Sequence, residues 1–426
     1  MLKKTITVLM ALAFSTVAVA EDGDTYLTAG SMIDIETGNT ISNPAMVVRG
    51  GVIVALGTKD SLDAPDGANV VDLGDATLLP GLMDMHVHLS GDAGGNFFAG
   101  LSYSAPRQAI VAAKNARKTL MAGFTTVRDV GAGGYSGIAV RDGVNAGDII
   151  GPRIFAVGHA IGITGGHCDN NFFPPEMQAK SGGAADGPWA IRAKVREQIK
   201  YGANAIKVCA TGGVFSKGTK VGVQQLTLEE LKAAVEEAHL RGLTVAAHAH
   251  GGDGIKAAIV AGVDSIEHAS FADAEAINLA KEFGTYFSMD IYNTEYTLAF
   301  GEANGVPEEN MNKERLVSKA QRAAFTQAAA SGVKMVFGSD AAIYPHGDNA
   351  KQLSRMVRFG MTPLQALQAA TINAASLMHI ENDVGQLKEG FAADIIAVQG
   401  NPLEDITTLE NVGFVMMGGD IVKSAN

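Results

Sequence analysis

His86 and His88 stand two residues apart in the run DMHVHLS, a spacing that sends both side chains to one face of an extended strand while Val87 packs the other way. Two imidazoles held side by side suit one divalent cation. His248, His268 and Asp340 each stand near the end of a β-prone run of their own, and their side chains extend the same ligand chemistry. His250, two beyond His248, competes with it; the earlier position lies nearer the strand end and is preferred. Asp129 and Asp290 close similar runs and are read as loop acids or supports of ligands rather than ligands.

The stretch NAIKVCATGG, residues 204 to 213, places Lys207 inside an apolar run with the look of a buried strand. Burying an ammonium without a partner costs several kcal/mol, so the amine must be neutral, paired or modified. A lysine that has taken up carbon dioxide becomes a carbamate, an anion with two oxygens on a long arm, able to bridge two metals. The alternative is an ordinary lysine paired with Asp340.

These residues need a scaffold that brings distant strand ends together. Six times along the chain a helical stretch ends in a residue plus glycine and a β-prone run follows: at Gly123, Gly202, Gly242, Gly262, Gly284 and Gly332. Glycine suits the left-handed conformation that ends a helix, so each is an α-to-β junction. Thr227 and Glu230 form a capping box at the start of the helix entering one of them. With a first strand near Leu78 to His88 and another near Pro152 to Val157, the count predicts a (β/α)8 TIM barrel over residues 80–383. Lys207 falls five residues after its junction glycine, His248 and His268 six, and Asp340 eight, all near C-terminal strand ends where barrel function collects. A lone histidine is more often structural than a ligand, but several converging on one rim point to metal. His159, His239 and His379 lie in helix or strand-flank contexts and are read as structural.

The flanks, residues 21–79 and 384–426, alternate in short β-like runs, and both ends are expected to build one small β-sandwich domain. Residues 1–20 have a basic start, an apolar middle and an Ala-Val-Ala close, the pattern of a cleaved signal peptide, so a secreted, periplasmic protein without a membrane span is expected. Removing its two lysines takes the formal charge from −12 to −14, a balance that disfavours nucleic acid and anionic membranes. The segment GGVFSKGTK lacks the Gly-Lys-Ser/Thr order of a phosphate loop, which argues against nucleotides. Cys168 and Cys209 are too few for a disulfide framework; they are read as two free buried thiols, with pairing the alternative in an oxidising compartment.

Taken together, LLPGLMDMHVHL, AGFTTVRDVG, GPRIFAVG, TGGHCDNNFFPP, IKVCATGGVFS, VAAHAHG, SIEHASF, FGSDAAIYPHGDN and ADIIAVQGNPLEDI make the chain resemble the amidohydrolase superfamily, binuclear branch. Within it the chain looks most like the imidazolonepropionase-related metal-dependent dipeptidases. The resemblance implies two divalent ions, typically zinc. His86, His88 and Asp340 would hold one and His248 and His268 the other, with carboxylated Lys207 and a hydroxide bridging them. Asp340 would also act as the catalytic proton carrier. His167, in ITGGHCDNNF, is a candidate catalytic and substrate contact; Tyr292 and His346 are further substrate-binding candidates.

The leading expectation is an exported dipeptidase acting as a carboxypeptidase, with C-terminal Arg or Lys favoured because the loops SMDIYNTEYT and GVFS resemble the basic-specific members. A small peptide or amide is the expected partner, and a homo-oligomer the expected assembly. An Xaa-Pro dipeptidase, or a hydrolase of N-acyl amino acids or bulky mycotoxin-type amides, stands close by. Cyclic-amide hydrolysis is disfavoured because its substrates are cytosolic. A non-enzymatic metal-binding protein would lack a catalytic group, and Asp340 and every ligand position are present.

Overall fold

The computed structural model describes residues 23–94 and 98–424; the expected signal peptide lies outside the described residues. Eight short parallel strands form the central barrel: β1 Leu82–Val87, β2 Phe124–Asp129, β3 Arg153–Ala156, β4 Ile206–Cys209, β5 Val245–Ala249, β6 Ser265–His268, β7 Tyr286–Ser288 and β8 Met335–Val336. Regular pairing runs through β1-β2-β3 and through β4 to β8. Parallel bridges Ile161↔Val208 and Val87↔Ala341 join these two arcs into a closed ring. All six junction glycines adopt positive φ, from +70° at Gly242 to +97° at Gly202, as the repeat requires. Helix Leu228–His239 opens on the predicted capping box, Thr227 accepting from the Glu230 amide and the Glu230 carboxylate accepting from the Thr227 amide. The barrel interior and its helix layer share one apolar cluster that includes Leu82, Phe124, Ile206, Val245, Ile266 and Phe287.

The run expected as one strand from Leu78 to His88 is two. Thr77–Pro80 belongs to a separate sheet, and the chain turns at Gly81 before β1 begins. A Cβ on Gly81 would collide with the Thr125 side chain, so only glycine lets the backbone cross into the barrel so close to β2. That separate sheet has six strands and carries both ends of the chain, because Ile395–Val398 pairs antiparallel with Thr77–Pro80. A four-stranded sheet faces it, and Leu27, Met46 and Ile53 from one meet Met32, Leu78 and Phe414 from the other in a common core. Arg153 at the start of β3 ties the sandwich to the barrel through a 2.7 Å ion pair with buried Asp394. Among the described residues no helix is long and apolar enough to cross a membrane.

Candidate metal centre

The C-terminal ends of the strands converge on one cavity of about 150 Å³, lined by His86, His88, Lys207, His248, His268 and Asp340 among others. All six expected ligand positions therefore meet. The Nε2 atoms of His86 and His88 each lie 3.5 Å from Asp340 Oδ1. The rings of His248 and His268 meet edge to face with centroids 4.6 Å apart, and His268 contacts His86 at 5.0 Å. Three sets of ligand atoms each fit within 4.8 Å of one another: His86, His88 and Asp340; His248, His250 and His268; and His268, Asp290 and Asp340. His268 and Asp340 occur in the linking set, so the groups adjoin.

Three of the four imidazoles are oriented from behind. The ring nitrogen Nδ1 of His88 lies 2.9 Å from the Gly131 carbonyl, that of His268 lies 2.8 Å from Asp290 Oδ1, and that of His86 lies 2.8 Å from Glu267 Oε2. A proton on Nδ1 satisfies all three contacts and leaves Nε2 a lone pair for the cavity, the arrangement that prepares histidine for a metal. Glu267 is itself held by the fully buried Arg128, whose guanidinium donates to Oε1 at 2.8 Å. Burial alone would raise the Glu267 carboxyl, but Arg128 and then His86 hold it well below the usual range. Asp290 is likewise kept low against its burial by His268, with Asn293 and Gln321 donating to it. At the rim the backbone is left-handed at His268 (φ +71°), Ala269 (+47°) and Asp340 (+57°), strain that recurs at functional sites.

Lys207 is only 4% exposed, and no ion pair joins it to Asp340 among the described residues. Burial pushes its amine down to about 8, with Arg128 adding to that and Glu267, Asp340 and Asp290 opposing. Burial, reinforced by Asp290, pushes Asp340 up to about 7. His248 Nε2 is buried with no hydrogen-bond partner. An orphaned imidazole nitrogen among further imidazoles and carboxylates is a donor set that fits divalent cations.

The other expected contacts divide. His167 lines the cavity, stacked on His248 at 4.0 Å with Nδ1 2.9 Å from Ser216 Oγ. Gly213 passes so close to both rings that a Cβ there would meet His167 and His248 within 2.7 Å. Tyr292 does not reach the cavity: its ring packs on Tyr344 and under the Arg355 guanidinium, while the following residues Asn293 and Thr294 line the wall. His346 also turns away, its ring nitrogens lying against the His88 carbonyl at 3.2 Å and Thr119 at 3.3 Å. It braces the backbone behind His88. Asp129 is buried but absent from the cavity wall, whereas Asp290 and His250 are part of it.

Cys168 and Cys209 are not free thiols but a disulfide, with Cα atoms 6.1 Å apart. Tertiary structure brings the loop carrying His167 onto the tip of β4, a proximity that local sequence does not encode. Glu267, Arg128, Asn293, Glu314 and Gln321 were not singled out from sequence. The strongest available signal was Arg128 and Glu267 themselves, charges embedded in the buried runs FTTVRD and SIEH.

A closed parallel barrel whose strand tips gather imidazoles, carboxylates and a buried lysine around one small cavity defines a metal-dependent hydrolase of C–N bonds. The chain belongs to the amidohydrolase family, whose sequence pattern matches residues 77–422. It is 35% identical to an ochratoxinase of Aspergillus niger, over 94% of this chain and 86% of that one. The solved structure of Aspergillus niger ochratoxinase superposes with a TM-score of 0.83 at 33% identity, covering 95% of this chain and 96% of the other. A Xaa-Pro dipeptidase with methionine bound in its active site superposes with a TM-score of 0.88 at 39% identity, covering 94% of this chain and all of the other. A prolidase complexed with N-methylphosphonate-L-proline gives 0.85 at 30% identity, covering 94% and 100%.

Proposed function

We propose that the protein is an exported dipeptidase that uses two divalent cations, zinc being the expected metal, to release a C-terminal amino acid, with arginine or lysine preferred. The observation that carries this reading is the meeting of six expected ligands in one cavity at the strand ends. Solved relatives named Xaa-Pro dipeptidase and prolidase support a dipeptide as the substrate class. The Cys168–Cys209 pair supports an oxidising compartment, and with it export to the periplasm.

His86, His88 and Asp340 would hold one cation and His248 and His268 the other, with His250 beside them as a further donor. Lys207, its amine buried and desolvated, would add through Nζ to carbon dioxide and lose a proton to become a carbamate, an anionic donor for a cation. When bound, the cations supply a water acidified from about 15.7 toward 7 and polarise the scissile carbonyl. Asp340 would accept a proton from the attacking water and pass it to the departing amine nitrogen. Asn293 donates to Asp340 Oδ2 at 2.9 Å and fixes the carboxylate in that task. His167 orients the substrate carbonyl or carboxylate from the facing loop.

A second reading is hydrolysis of a bulkier N-acyl amino acid. A recess of about 160 Å³ adjoins the cavity, shares Phe215 and Ile343 with it and adds Tyr296 and Val306, apolar and aromatic walls for an aromatic acyl group. Kinetics on Xaa-Arg, Xaa-Pro, Xaa-Leu and an N-aroyl phenylalanine separate the two, with metal content measured on the same sample. Turnover of the aroyl amide alone favours the second reading. Metal-free protein that remains fully active, or full rate after Lys207→Ala, ends both.

A further inference from the structure

Helix Glu308–Ser331 contributes Glu314, Val317 and Gln321 to the cavity wall and buries them with Asn310, a spacing of three and four residues that keeps them on one face. Three of these have an evident task. Asn310 donates to the Val214 carbonyl, Val317 packs with Val214 and Val221, and Gln321 donates to Asp290 Oδ1 at 2.9 Å. Glu314 has none. It is 2% exposed, lines the same cavity as the histidines, and its Oε1 is buried without a hydrogen-bond partner.

The other cavity carboxylates are engaged: Asp290 with His268, Asn293 and Gln321, and Asp340 with Asn293 and the first histidine pair. Among the described residues no hydrogen bond reaches Glu314 Oε1. An acceptor left unsatisfied in such a place is destabilising unless something that binds there completes it. Burial, with Asp290 and Asp340 adding to it and His268 and Arg322 opposing, pushes the Glu314 carboxyl up to about 8.

We infer that Glu314 is the specificity-determining residue that receives a cationic group of the substrate, an ammonium or guanidinium. This rests on the dipeptidase reading and names the residue behind its preference. The cation is either the side chain of a C-terminal Arg or Lys or the free α-ammonium of the dipeptide; both present N–H donors to a carboxylate.

The test compares wild type with Glu314→Gln on Ala-Arg, Ala-norleucine, N-acetyl-Ala-Arg and N-acetyl-Ala-norleucine. The expected loss in kcat/KM, roughly 10- to 100-fold for a charge-assisted hydrogen bond, falls on cation-bearing substrates, enters through KM and spares the doubly neutral one. Loss that follows Arg against norleucine assigns the side chain; loss that follows free against acetylated termini assigns the α-ammonium. An equal loss on all four, or no loss on any, overturns the inference. Calorimetric binding of L-arginine and N-acetyl-L-norleucine to metal-loaded protein provides a readout without turnover. If wild type cleaves no dipeptide, the functional reading fails, yet weaker arginine binding to Glu314→Gln alone still supports the role of Glu314, and unchanged binding removes it.

Discussion

His86 Nδ1 lies 2.8 Å from Glu267 Oε2, a contact between β1 and β6 across 181 residues of sequence. The opposite oxygen of the same carboxylate receives Arg128 from β2. One buried acid thus sets the tautomer of a metal-facing imidazole and balances a guanidinium that water does not reach.

Glu267→Gln preserves shape but offers an amide N–H where His86 Nδ1 needs an acceptor. The ring then carries its proton on Nε2, and the lone pair aimed at Asp340 is lost. A drop of roughly 10- to 100-fold in metal affinity or activity is expected, as for other outer partners of ligating histidines. Leaving Arg128 buried and unpaired also destabilises the fold by about 3–5 kcal/mol. Metal content by elemental analysis and the denaturation midpoint check the two effects separately; a variant with normal metal content counts against the tautomer argument.

Asp340→Asn removes the proton acceptor while keeping an oxygen near His86 and His88. Hydrolysis is expected to fall by at least about 100-fold, within the range for losing general acid–base catalysis. Most of the bound metal stays. Chelation, by contrast, removes metal and activity together, and added zinc restores both.

Reducing the Cys168–Cys209 disulfide releases the loop of His167 from the tip of β4. The bond closes a separation of 41 residues, for which chain entropy gives about 4 kcal/mol of stabilisation. The Cys168→Ser, Cys209→Ser double variant is therefore expected to unfold earlier in denaturant and to show faster amide exchange in residues 160–170. KM rises more than kcat falls, because the loop positions substrate rather than the metal ligands. Unchanged stability in this variant would show that the pair is not formed in the native protein.

His239 Nε2 meets Asp264 Oδ2 at 2.9 Å on the barrel surface, and this hydrogen bond holds the imidazole above its ordinary value. The stabilisation is fully present below the unfolded value of about 6.5 and is lost as pH rises through the higher folded one. Solvent screens the half-exposed pair, so its contribution is at most about 1 kcal/mol. His239→Gln should flatten this part of the stability profile above neutral pH, and a profile identical to wild type would remove the pair as its source.

Local chemistry carried much of this structure in readable form. A left-handed glycine after a helix is a property of a few adjacent residues, so the six junctions, and from them the barrel, could be counted along the chain. Strand-end position follows from those counts for Lys207, His248, His268 and Asp340, and the two-residue alternation in DMHVHLS supplies His86 and His88. Partnership across the barrel was not local. Nothing beside Glu267 indicates that it serves His86 and Arg128, nothing beside Cys168 indicates Cys209, and nothing within its helix distinguishes Glu314 from an ordinary surface acid. Tyr292 and His346 lie close in sequence to true lining residues, yet the rotation of a helix and the path of a loop turn them toward Tyr344, Arg355 and the His88 carbonyl. Sequence spacing determines which residues reach the rim; only the closure of the barrel and the packing of helix Glu308–Ser331 decide what faces them, because those contacts join segments whose distance along the chain carries no record of their distance in space.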